Sequence, residues 1–384
     1  MTKSAAKPRV LILTDYFYPH WTGICKSLYY LLKHLGAEYA FTILTVQFRP
    51  DLPKQERVQG ATVLREKPQM TISRAHYSVG TMFKLAKIIS HVDTILINSP
   101  YTNILPAAII TKLFGKQLVI LHQADFILPK GLINRLIEGV YFFCSFIGFS
   151  LADRVTSWND DYGQYSPILK LFRSKFSALT LPLALPKPAP NDRIRKKLAR
   201  MKRDGYLLFG FAGRFVEEKG FDILFAAIPA IVKKIPNARF VYAGQLKISY
   251  ERFFEKHAVA YERVQPYIES LGFVSDTELV SFYQSIDYIV VPSRSDAFPL
   301  VQAEAASSGA IPITANIPGA RTLIQDTQYG LLFQKENPED LANKVIEAIR
   351  KRSKLRTHYP DVLAYFDIQK TRSQFSRLIT GQLR

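Results

Sequence analysis

The chain has 384 residues, 48% of them hydrophobic, which is too long for a single core and predicts two domains of ordinary size. Its formal net charge of +19 favours anionic partners, among which nucleotide diphosphates, acidic membranes and nucleic acid all qualify. The sequence has no zinc-finger spacing and no RNA-recognition aromatic pairs, so nucleic acid ranks lowest, and its two cysteines suit reduced thiols in a cytosolic protein.

The N-terminal half alternates short β-rich runs with longer amphipathic ones. Strand-like segments, separated by helix-like ones such as KSLYYLLKHL, are RVLILT, FTILTVQF, TILIN, QLVILHQ and RVTSW. This alternation predicts a parallel sheet with crossover helices. The basic N-terminus carries an apolar run only from Val10 to Leu13, which predicts a first strand and no signal peptide.

The longest apolar stretch covers residues 139–151. Its length falls short of the roughly 20 residues that a membrane-spanning helix needs, so we expect a soluble or peripheral protein. The aromatic part, Val140 to Phe149, fits a buried crossover helix best. Because residues 1–190 carry a net charge of +11, contact between this run and an anionic membrane stays open as the alternative.

A proline-rich stretch, TLPLALPKPAP, followed by the basic segment DRIRKKLARMKRDG, interrupts the alternation and predicts a linker. Strand-like and helix-like runs then restart with YLLFGFAG and FDILFAAIPAIVKKI. We therefore predict an α/β protein of two doubly wound, Rossmann-like domains, residues 1–185 and 186–364. Their parallel sheets should face a central cleft at the carboxyl ends of the strands, where ligands bind.

The strongest chemical signal is GRFVEEKGFDIL, residues 213–224, which directly follows the first strand of the second half. Gly213 allows a tight turn, and Arg214 and Lys219 stand five positions apart at the strand-to-helix junction. Backbone N–H groups and two cations would converge there on a diphosphate. The alternative is that surface cations merely flank a turn.

The second signal is SRSDAFPLVQAEAASSGAIPI, residues 293–313. Asp296 is predicted in the loop after a strand, and Glu304 within the following helix. Such a pair can hold two hydroxyl-bearing parts of one ligand while amides at the helix start face its phosphates. The alternative for Asp296 is an aspartate at the helix start, favoured by the helix dipole.

These two segments, in this order and about eighty residues apart, resemble the retaining glycosyltransferases of family four, which have the GT-B fold. The resemblance extends to LGFVSDTELVSFYQSIDYIVVPS, IPGARTLIQ, YGLLF and the first loop, YPHWTGICKSLYYLL. The terminal segment YFDIQKTRSQFSRLI is similar to the family's helix that crosses back onto the N-terminal domain, so residues 365–384 should pack there. The resemblance implies an acceptor side in the N-terminal domain and a nucleotide-sugar donor side in the C-terminal domain.

The resemblance also implies roles for single residues. Arg214 and Lys219, beside Gly213, would neutralise the diphosphate as charge builds on the leaving group. Glu304 would bind the ribose hydroxyls, and Asp296 those of the donor sugar. The other implied contacts are backbone amides near Phe298 and Leu300 with the phosphate, Gly23 with the donor, Gly272 and Phe273 with the base, and His122 with the anomeric carbon or the sugar.

His122 ends an apolar strand, so a satisfied core histidine is its alternative. The family has no firmly assigned protein nucleophile, and we therefore name no catalytic base. Three features depart from the family pattern. Asp296 stands where a glutamate is usual, Thr22-Gly23 replaces paired glycines, and TLPLALP lacks an Asn-Gly.

The implied activity is transfer of a sugar, with retention, from a nucleotide-diphosphate sugar to a glycan, lipid-linked or small-molecule acceptor. UDP-sugar is favoured over GDP-sugar or ADP-sugar, and no other cofactor is expected. The sequence contains no Asp-x-Asp triplet, which predicts transfer without a metal ion. The expected location is the cytoplasm, with attachment to the cytoplasmic membrane face as a further option.

Three other functions compete with this activity. A nicotinamide-dependent dehydrogenase should show G-x-G-x-x-G, whereas the loop DYFYPHWTGICK has a single glycine. A periplasmic sugar-binding protein should begin with an export signal. A catalytically idle relative that binds sugar nucleotides or serves as a scaffold stays open.

Overall fold

The structure is a computed structural model that describes residues 6–72, 75–126, 131–188, 192–246, 248 and 252–381. The chain forms two compact units. Unit 1 comprises Met1–Ala184 and Ile368–Arg384, and unit 2 comprises Leu185–Asp367. The division between them falls within the proline-rich stretch that the sequence marks as a linker.

The described part of unit 1 contains ten strands: β1 (Arg9–Leu13), β2 (Ala40–Val46), β3 (Gln55–Val58), β4 (Ala61–Glu66), β5 (Met70–Ile72), β6 (Ala75–Tyr77), β7 (Thr94–Ser99), β8 (Gln117–His122), β9 (Arg154–Ser157) and β10 (Phe176–Ala178). Eight of them form one sheet in the order β10-β9-β8-β7-β1-β2-β4-β3, while β5 and β6 pair as a separate hairpin. All pairs in the large sheet are parallel except β3 with β4. The strand order reverses between β1 and β7, which makes this position the switch point of the sheet.

The helices of unit 1 are α1 (Gly23–Leu35), α2 (Val79–Ile88), α3 (Ile104–Leu113), α4 (Leu132–Leu151), α5 (Asp160–Tyr165) and α16 (Ile368–Thr380). Right-handed crossovers that advance in one direction along a sheet place their helices on one face. The connections through α2, α3 and α4 all advance from β4 toward β9, and α3 packs against both α2 and α4. The connection through α1 runs the other way and places that helix on the opposite face.

Helix α4 corrects one expectation from the sequence. The apolar stretch at residues 139–151 looked too short to cross a bilayer, but the helix starts at Leu132 and its 20 residues are long and apolar enough by length and composition alone. The interpretation of Val140 to Phe149 as a buried crossover helix is also only partly right. Phe149 is buried, whereas Val140, Phe143 and Phe146 are exposed.

Among the residues of unit 2 that the structure describes there are six strands: β11 (Leu207–Ala212), β12 (Ala238–Ala243), β13 (Ile268–Ser270), β14 (Tyr288–Val291), β15 (Ile311–Ala315) and β16 (Leu331–Phe333). They form an all-parallel sheet in the order β13-β12-β11-β14-β15-β16. This is a doubly wound Rossmann-like order with its switch point between β11 and β14. The predicted α/β architecture is therefore confirmed in both units.

The helices of unit 2 are α6 (Arg193–Arg203), α7 (Phe221–Lys234), α8 (Phe253–Lys256), α9 (Ala258–Val264), α10 (Asp276–Ser285), α11 (Leu300–Ser307), α12 (Thr322–Thr327), α13 (Pro338–Arg350), α14 (Arg352–Arg356) and α15 (Tyr359–Tyr365). Stacked aromatic rings on neighbouring strands hold the sheet in register. The ring centroid of Phe209 lies 5.3 Å from that of Phe240 and 5.1 Å from that of Tyr288. Such pairs contribute about 0.5–1.5 kcal/mol each beyond the burial of their area.

Candidate functional site

The sequence motif at residues 213–224 lies at the switch point of unit 2. Gly213 follows the last residue of β11 and has a φ of +127°, in the region that favours glycine. Its amide donates to Ala243 O, and the Tyr242 hydroxyl donates to Gly213 O at 2.7 Å. Both the amide and the carbonyl oxygen of Gly213 are therefore held by hydrogen bonds. Arg214 and Lys219 therefore come shortly after a backbone position that these hydrogen bonds constrain.

The loop after β14 is bound directly to the loop after β11. The Arg294 amide donates to Glu218 O, and the Arg294 guanidinium pairs with Asp222 at 2.7 Å. Gly220 has a φ of +63°, and a Cβ there would lie 2.1 Å from Pro292 O. Only glycine allows this close approach, which brings the two loops into contact across the switch point.

This contact brings Lys219 and Asp296 together, although they are 77 positions apart in sequence. Lys219 Nζ donates to Asp296 Oδ2 at 2.7 Å. Burial opposes the ammonium charge of Lys219, but attraction to Asp296 and Glu218 outweighs it and raises the pKa of Lys219 above its ordinary value. Lys219 therefore stays cationic at neutral pH, and a quarter of its side chain remains exposed. A cation held this way can meet an anionic ligand.

The helix-start alternative for Asp296 is wrong. Helix α11 begins at Leu300, its N-cap is Pro299, and that cap makes no side-chain hydrogen bond. Asp296 lies four positions before the helix, where its carboxylate is committed to Lys219. Asp296 therefore forms an ion pair with a residue that is distant in sequence, and it does not cap the helix.

Arg214 lies nearer to solvent than Lys219. Its guanidinium pairs with Glu218 Oε1 at 3.4 Å, and 39% of its side chain is exposed. Exposed pairs of this length contribute little to stability, about 0–1 kcal/mol. The pair with Glu218 is therefore only a weak constraint on the Arg214 guanidinium.

Glu304 is buried inside α11 and accepts a hydrogen bond from the Tyr283 hydroxyl at 3.0 Å. Burial, and then the nearby Glu304 carboxylate, raise the pKa of Tyr283 well above its ordinary value, so its hydroxyl remains a donor. The Tyr283 contact orients the Glu304 carboxylate. Sequence reasoning missed Tyr283 because it lies on α10, and no local spacing connects it with α11.

The loop that carries Asp296 is supported from two further directions. Gly319 has a φ of +85°, and a Cβ there would lie 2.2 Å from Ala297 O. Phe298 is buried, with its ring parallel to that of Tyr365 and the two centroids 6.5 Å apart. Leu300 is the first residue of α11, so the N–H groups of the first turn of α11 follow this supported loop directly.

Gly272 and Phe273 follow β13 at the same carboxyl edge of the sheet. Gly272 has a φ of +67° and accepts a hydrogen bond from the Gly244 amide. Phe273 is 67% exposed, which is unusual for so large an apolar ring. An exposed ring beside a phosphate-binding edge is suited to stacking on a planar base.

In unit 1, His122 is buried at the end of β8 with both ring nitrogens engaged. Its Nδ1 lies 3.0 Å from Ser99 Oγ, and its Nε2 lies 3.2 Å from Asp125 Oδ1. Burial acts to raise the pKa of Asp125, but bonding and attraction to His122, together with the Tyr162 hydroxyl, outweigh it and lower that pKa. This geometry matches the alternative of a satisfied histidine, and the sugar-facing role of His122 stays a prediction.

The first loop of unit 1 contains Gly23 and a carboxyl group that sequence reasoning missed. Gly23 is the first residue of α1, and Thr22 caps that helix by accepting from Cys25 N at 3.4 Å. Asp15 lies at the switch point of the sheet, where Thr102 donates both its amide and its hydroxyl to Asp15 Oδ2 at 2.9 and 2.7 Å. Burial raises the pKa of Asp15 to about 7.

Asp15 should therefore make the stability of the protein fall between about pH 4 and pH 7. In this window the unfolded chain releases the proton and the folded chain keeps it, so unfolding becomes easier as pH rises. We expect Asp15→Asn to reduce this change in the free energy of unfolding with pH. The reduction should reach up to about 4 kcal/mol across the window, at 1.36 kcal/mol per pKa unit. Urea unfolding across the pH range measures it, with the exposed Asp51→Asn as the control. Parallel pH profiles for Asp15→Asn and the wild type would contradict the prediction.

Within the described ranges, no group of three or more His, Cys, Asp or Glu side chains is placed to hold a metal ion. The carboxyl edge of the unit 2 sheet instead presents the Lys219 ammonium, the Arg214 guanidinium and the start of α11. Cations and helix N–H groups at such an edge bind phosphates.

Comparisons with known proteins agree with this arrangement. Residues 191–360 match the family described as "Glycosyl transferases group 1". Over 352 residues the chain is 26% identical to an uncharacterized glycosyltransferase of Methanocaldococcus jannaschii, covering 90% of each chain. Its fold is similar to that of sucrose-phosphate synthase from Thermosynechococcus elongatus, with a TM-score of 0.76, 16% identity and coverage of 98% and 99% of the two chains.

A second structural neighbour is Anabaena HepE in complex with UDP and glucose. The TM-score is 0.76 and the identity 16%, with 97% of this chain and 100% of that chain covered. These likenesses confirm the predicted fold. The chain therefore has the GT-B fold, and its residues 191–360 match the glycosyl transferases group 1.

Proposed function

We propose that this chain transfers a sugar, with retention of anomeric configuration, from a nucleotide-diphosphate sugar that unit 2 binds. The observation that carries the proposal is the Lys219–Asp296 pair at the switch point between β11 and β14. The Lys219 ammonium would bind a diphosphate, and the Asp296 carboxylate would bind sugar hydroxyls. The two groups lie 2.7 Å apart, so one donor molecule can contact both. Unit 1 would provide the acceptor side.

The remaining roles follow from the supports around this pair. Arg214 would leave Glu218 for the diphosphate, and α11 would direct its first N–H groups at the phosphates. Glu304, oriented by Tyr283, would accept from the ribose hydroxyls. Gly272 and Phe273 would border the base. From unit 1, Gly23 would approach the donor, and His122 would hold the sugar if ligand binding releases one of its ring nitrogens.

The proposed donor is a UDP-sugar, ahead of GDP-sugar and ADP-sugar. HepE, which has the same fold, binds UDP and glucose, and this supports the choice. Thermal-shift screening against UDP, GDP and ADP sugars tests it, because a ligand at 100 times its dissociation constant stabilises the folded state by about 2.7 kcal/mol. A larger shift with GDP or ADP sugars than with UDP sugars would overturn the preference.

An assay of sugar transfer distinguishes an active enzyme from a catalytically idle relative. We expect the donor that shifts the melting temperature most also to be hydrolysed slowly or transferred to an added acceptor. NMR of the product's anomeric proton distinguishes retention from inversion. A protein that binds the donor but shows neither hydrolysis nor transfer across a panel of acceptors would be a binding or scaffold protein.

We expect the transfer to need no divalent metal ion. Lys219, Arg214 and the first turn of α11 would neutralise the leaving diphosphate in place of Mg²⁺ or Mn²⁺. The measurement is turnover after dialysis against a chelator, compared with turnover after Mg²⁺ or Mn²⁺ is added back. Loss of activity with the chelator and its recovery with either ion would contradict this mechanism.

The proposed acceptor is a glycan, a lipid-linked molecule or a small molecule, and the proposed location is the cytoplasm. Both cysteines are free, Cys25 buried and Cys144 partly buried, which agrees with a reducing compartment. The charge of the chain and the exposed side of α4 support the option of peripheral contact with an anionic membrane.

A further inference from the structure

Helix α4 exposes many of its large apolar side chains. Its buried residues are Ser145, Gly148 and Phe149, and Tyr141, whose hydroxyl accepts a hydrogen bond from the Tyr101 amide, also packs on the protein. A Cβ on Gly148 would lie 3.0 Å from the Ile104 side chain, which shows how closely α3 approaches. An ordinary amphipathic helix of a globular protein buries its large apolar residues and exposes polar ones. Helix α4 exposes large apolar residues where such a helix would carry polar ones.

The outward side of α4 carries a continuous apolar stripe. Leu132, Leu136, Val140 and Phe143 recur at spacings of four, four and three, which places them on one side of the helix. They are 87%, 69%, 57% and 62% exposed. Single exposed hydrophobic residues are common on proteins, but a contiguous stripe of this kind marks an interaction surface.

The stripe is part of a wider surface that includes α2 and α3, which we call the α2–α4 face. Helix α2 exposes Val79 and Phe83, and helix α3 exposes Ile109 and Leu113. The charged side chains on the three helices are four basic ones and one acidic one, namely Lys84, Lys87, Lys112, Arg135 and Glu138, and Lys112 is paired with Asp153 at 2.7 Å. The α2–α4 face is therefore apolar and net positive.

We propose that the α2–α4 face docks on the surface of an anionic lipid bilayer. Apolar side chains of α4 would enter the region between headgroups and acyl chains, and the lysines and arginine would contact phosphates. This combination of an apolar helix side and basic residues is what interfacial helices use to lie on membranes. Helix α4 lies on the bilayer and does not span it, because Ser145, Gly148 and Phe149 remain packed on the protein.

Charge decides against a second copy of the chain as the occupant. A symmetric dimer through this face would set one net positive surface against another, and like charges oppose each other across an interface. A bilayer that contains phosphatidylglycerol or phosphatidylserine supplies the negative charge and the apolar interior together.

Docking in this way would also narrow the acceptor class. Helix α4 follows β8, so Leu132 lies toward the carboxyl edge of the unit 1 sheet, the edge that also carries Asp15 and His122. A bilayer that meets this end of α4 would present a lipid-linked acceptor to that edge. This last step rests on the proposed function, whereas docking itself rests only on the α2–α4 face.

Co-sedimentation with vesicles tests the docking. We expect the full chain to sediment with phosphatidylglycerol–phosphatidylcholine vesicles at low salt, less at high salt, and little with phosphatidylcholine alone. The Leu136→Ser/Phe143→Ser double variant should lose at least about tenfold in partition coefficient, because two large apolar groups no longer leave water. Val259→Ser/Leu363→Ser, which changes two exposed apolar residues of unit 2, should bind vesicles like the wild type.

These measurements test membrane docking independently of the proposed enzymatic activity. Wild-type protein that stays in solution with anionic vesicles at low salt would overturn the proposal, as would a Leu136→Ser/Phe143→Ser variant that sediments normally. A wild-type dimer in sedimentation analysis that the double variant abolishes would assign the α2–α4 face to a second copy instead. UDP binding of the double variant in solution tests the donor site independently, and we expect it unchanged.

Discussion

Lys219→Ala should weaken binding of the preferred nucleoside diphosphate by roughly 10- to 150-fold, because a charge-assisted hydrogen bond contributes about 1.5–3 kcal/mol. The substitution removes a cation that Asp296 and Glu218 keep charged, and it leaves the Asp296 carboxylate unpaired beside the phosphates. Arg214→Ala should act in the same direction but less, since Arg214 is more exposed than Lys219 and pairs only loosely with Glu218. Titration calorimetry with UDP, GDP and ADP measures both effects.

The matched control is Lys233→Ala, which removes an exposed lysine from α7 in the same unit. It should bind nucleotides like the wild type. Circular dichroism checks that all three variants stay folded, as expected for side chains outside the core. If Arg214→Ala and Lys219→Ala both bind all three nucleotides with unchanged affinity, the diphosphate site does not lie in this loop.

Asp296→Ala should lower turnover on the order of a hundredfold, the size of effect that about 1 Å of misplacement at a reacting group can produce. Nucleotide affinity should change much less, because losing the carboxylate frees the Lys219 ammonium for the phosphates. The expected signature is a drop in kcat with little change in the nucleotide dissociation constant. Kinetics with the donor selected by thermal shift measure it.

Two further substitutions of Asp296 distinguish the effect of its charge from the effect of its side-chain length. Asp296→Asn keeps the shape but loses the charge that holds Lys219, whereas Asp296→Glu restores the longer carboxylate and should change turnover or donor preference. Asp204→Ala, an exposed carboxylate at the end of α6, serves as the control. Near-wild-type kinetics in both the Ala and the Asn variants would remove Asp296 from the site.

The sequence predicts the strands and the main turns well because their signals are local. The run before Gly213 is apolar and β-rich, the glycine has the positive φ that such a turn needs, and α7 begins at Phe221 just after Lys219. Periodicity and glycine placement carry this information within about ten residues. The parallel sheets and the position of Arg214 and Lys219 at a strand end follow from it.

Contacts between distant segments could not be predicted in this way. Nothing near Lys219 identifies Asp296 as its partner, because the contact depends on Gly220 approaching Pro292 and on Arg294 holding the two loops together. A local rule instead suggested a helix-start role for Asp296, and tertiary packing overrides it. The sequence leaves an exposed side of α4 only as an alternative for a related reason. Composition shows that a segment is apolar but does not show which side the protein covers.

The last helix gives the chain an order of assembly during synthesis. Helix α16 packs Phe375 against Tyr39 and Phe41, with ring centroids 5.1 and 6.1 Å apart, and the Thr371 hydroxyl donates to Thr180 O. These partners are synthesised before unit 2, whereas α16 is synthesised after it.

Domains generally fold as units, with the N-terminal one first as the ribosome releases it. Here the N-terminal unit cannot cover Tyr39 and Phe41 with Phe375 until all of unit 2 has been made. Unit 1, whose synthesis starts before that of unit 2, is thus completed after it.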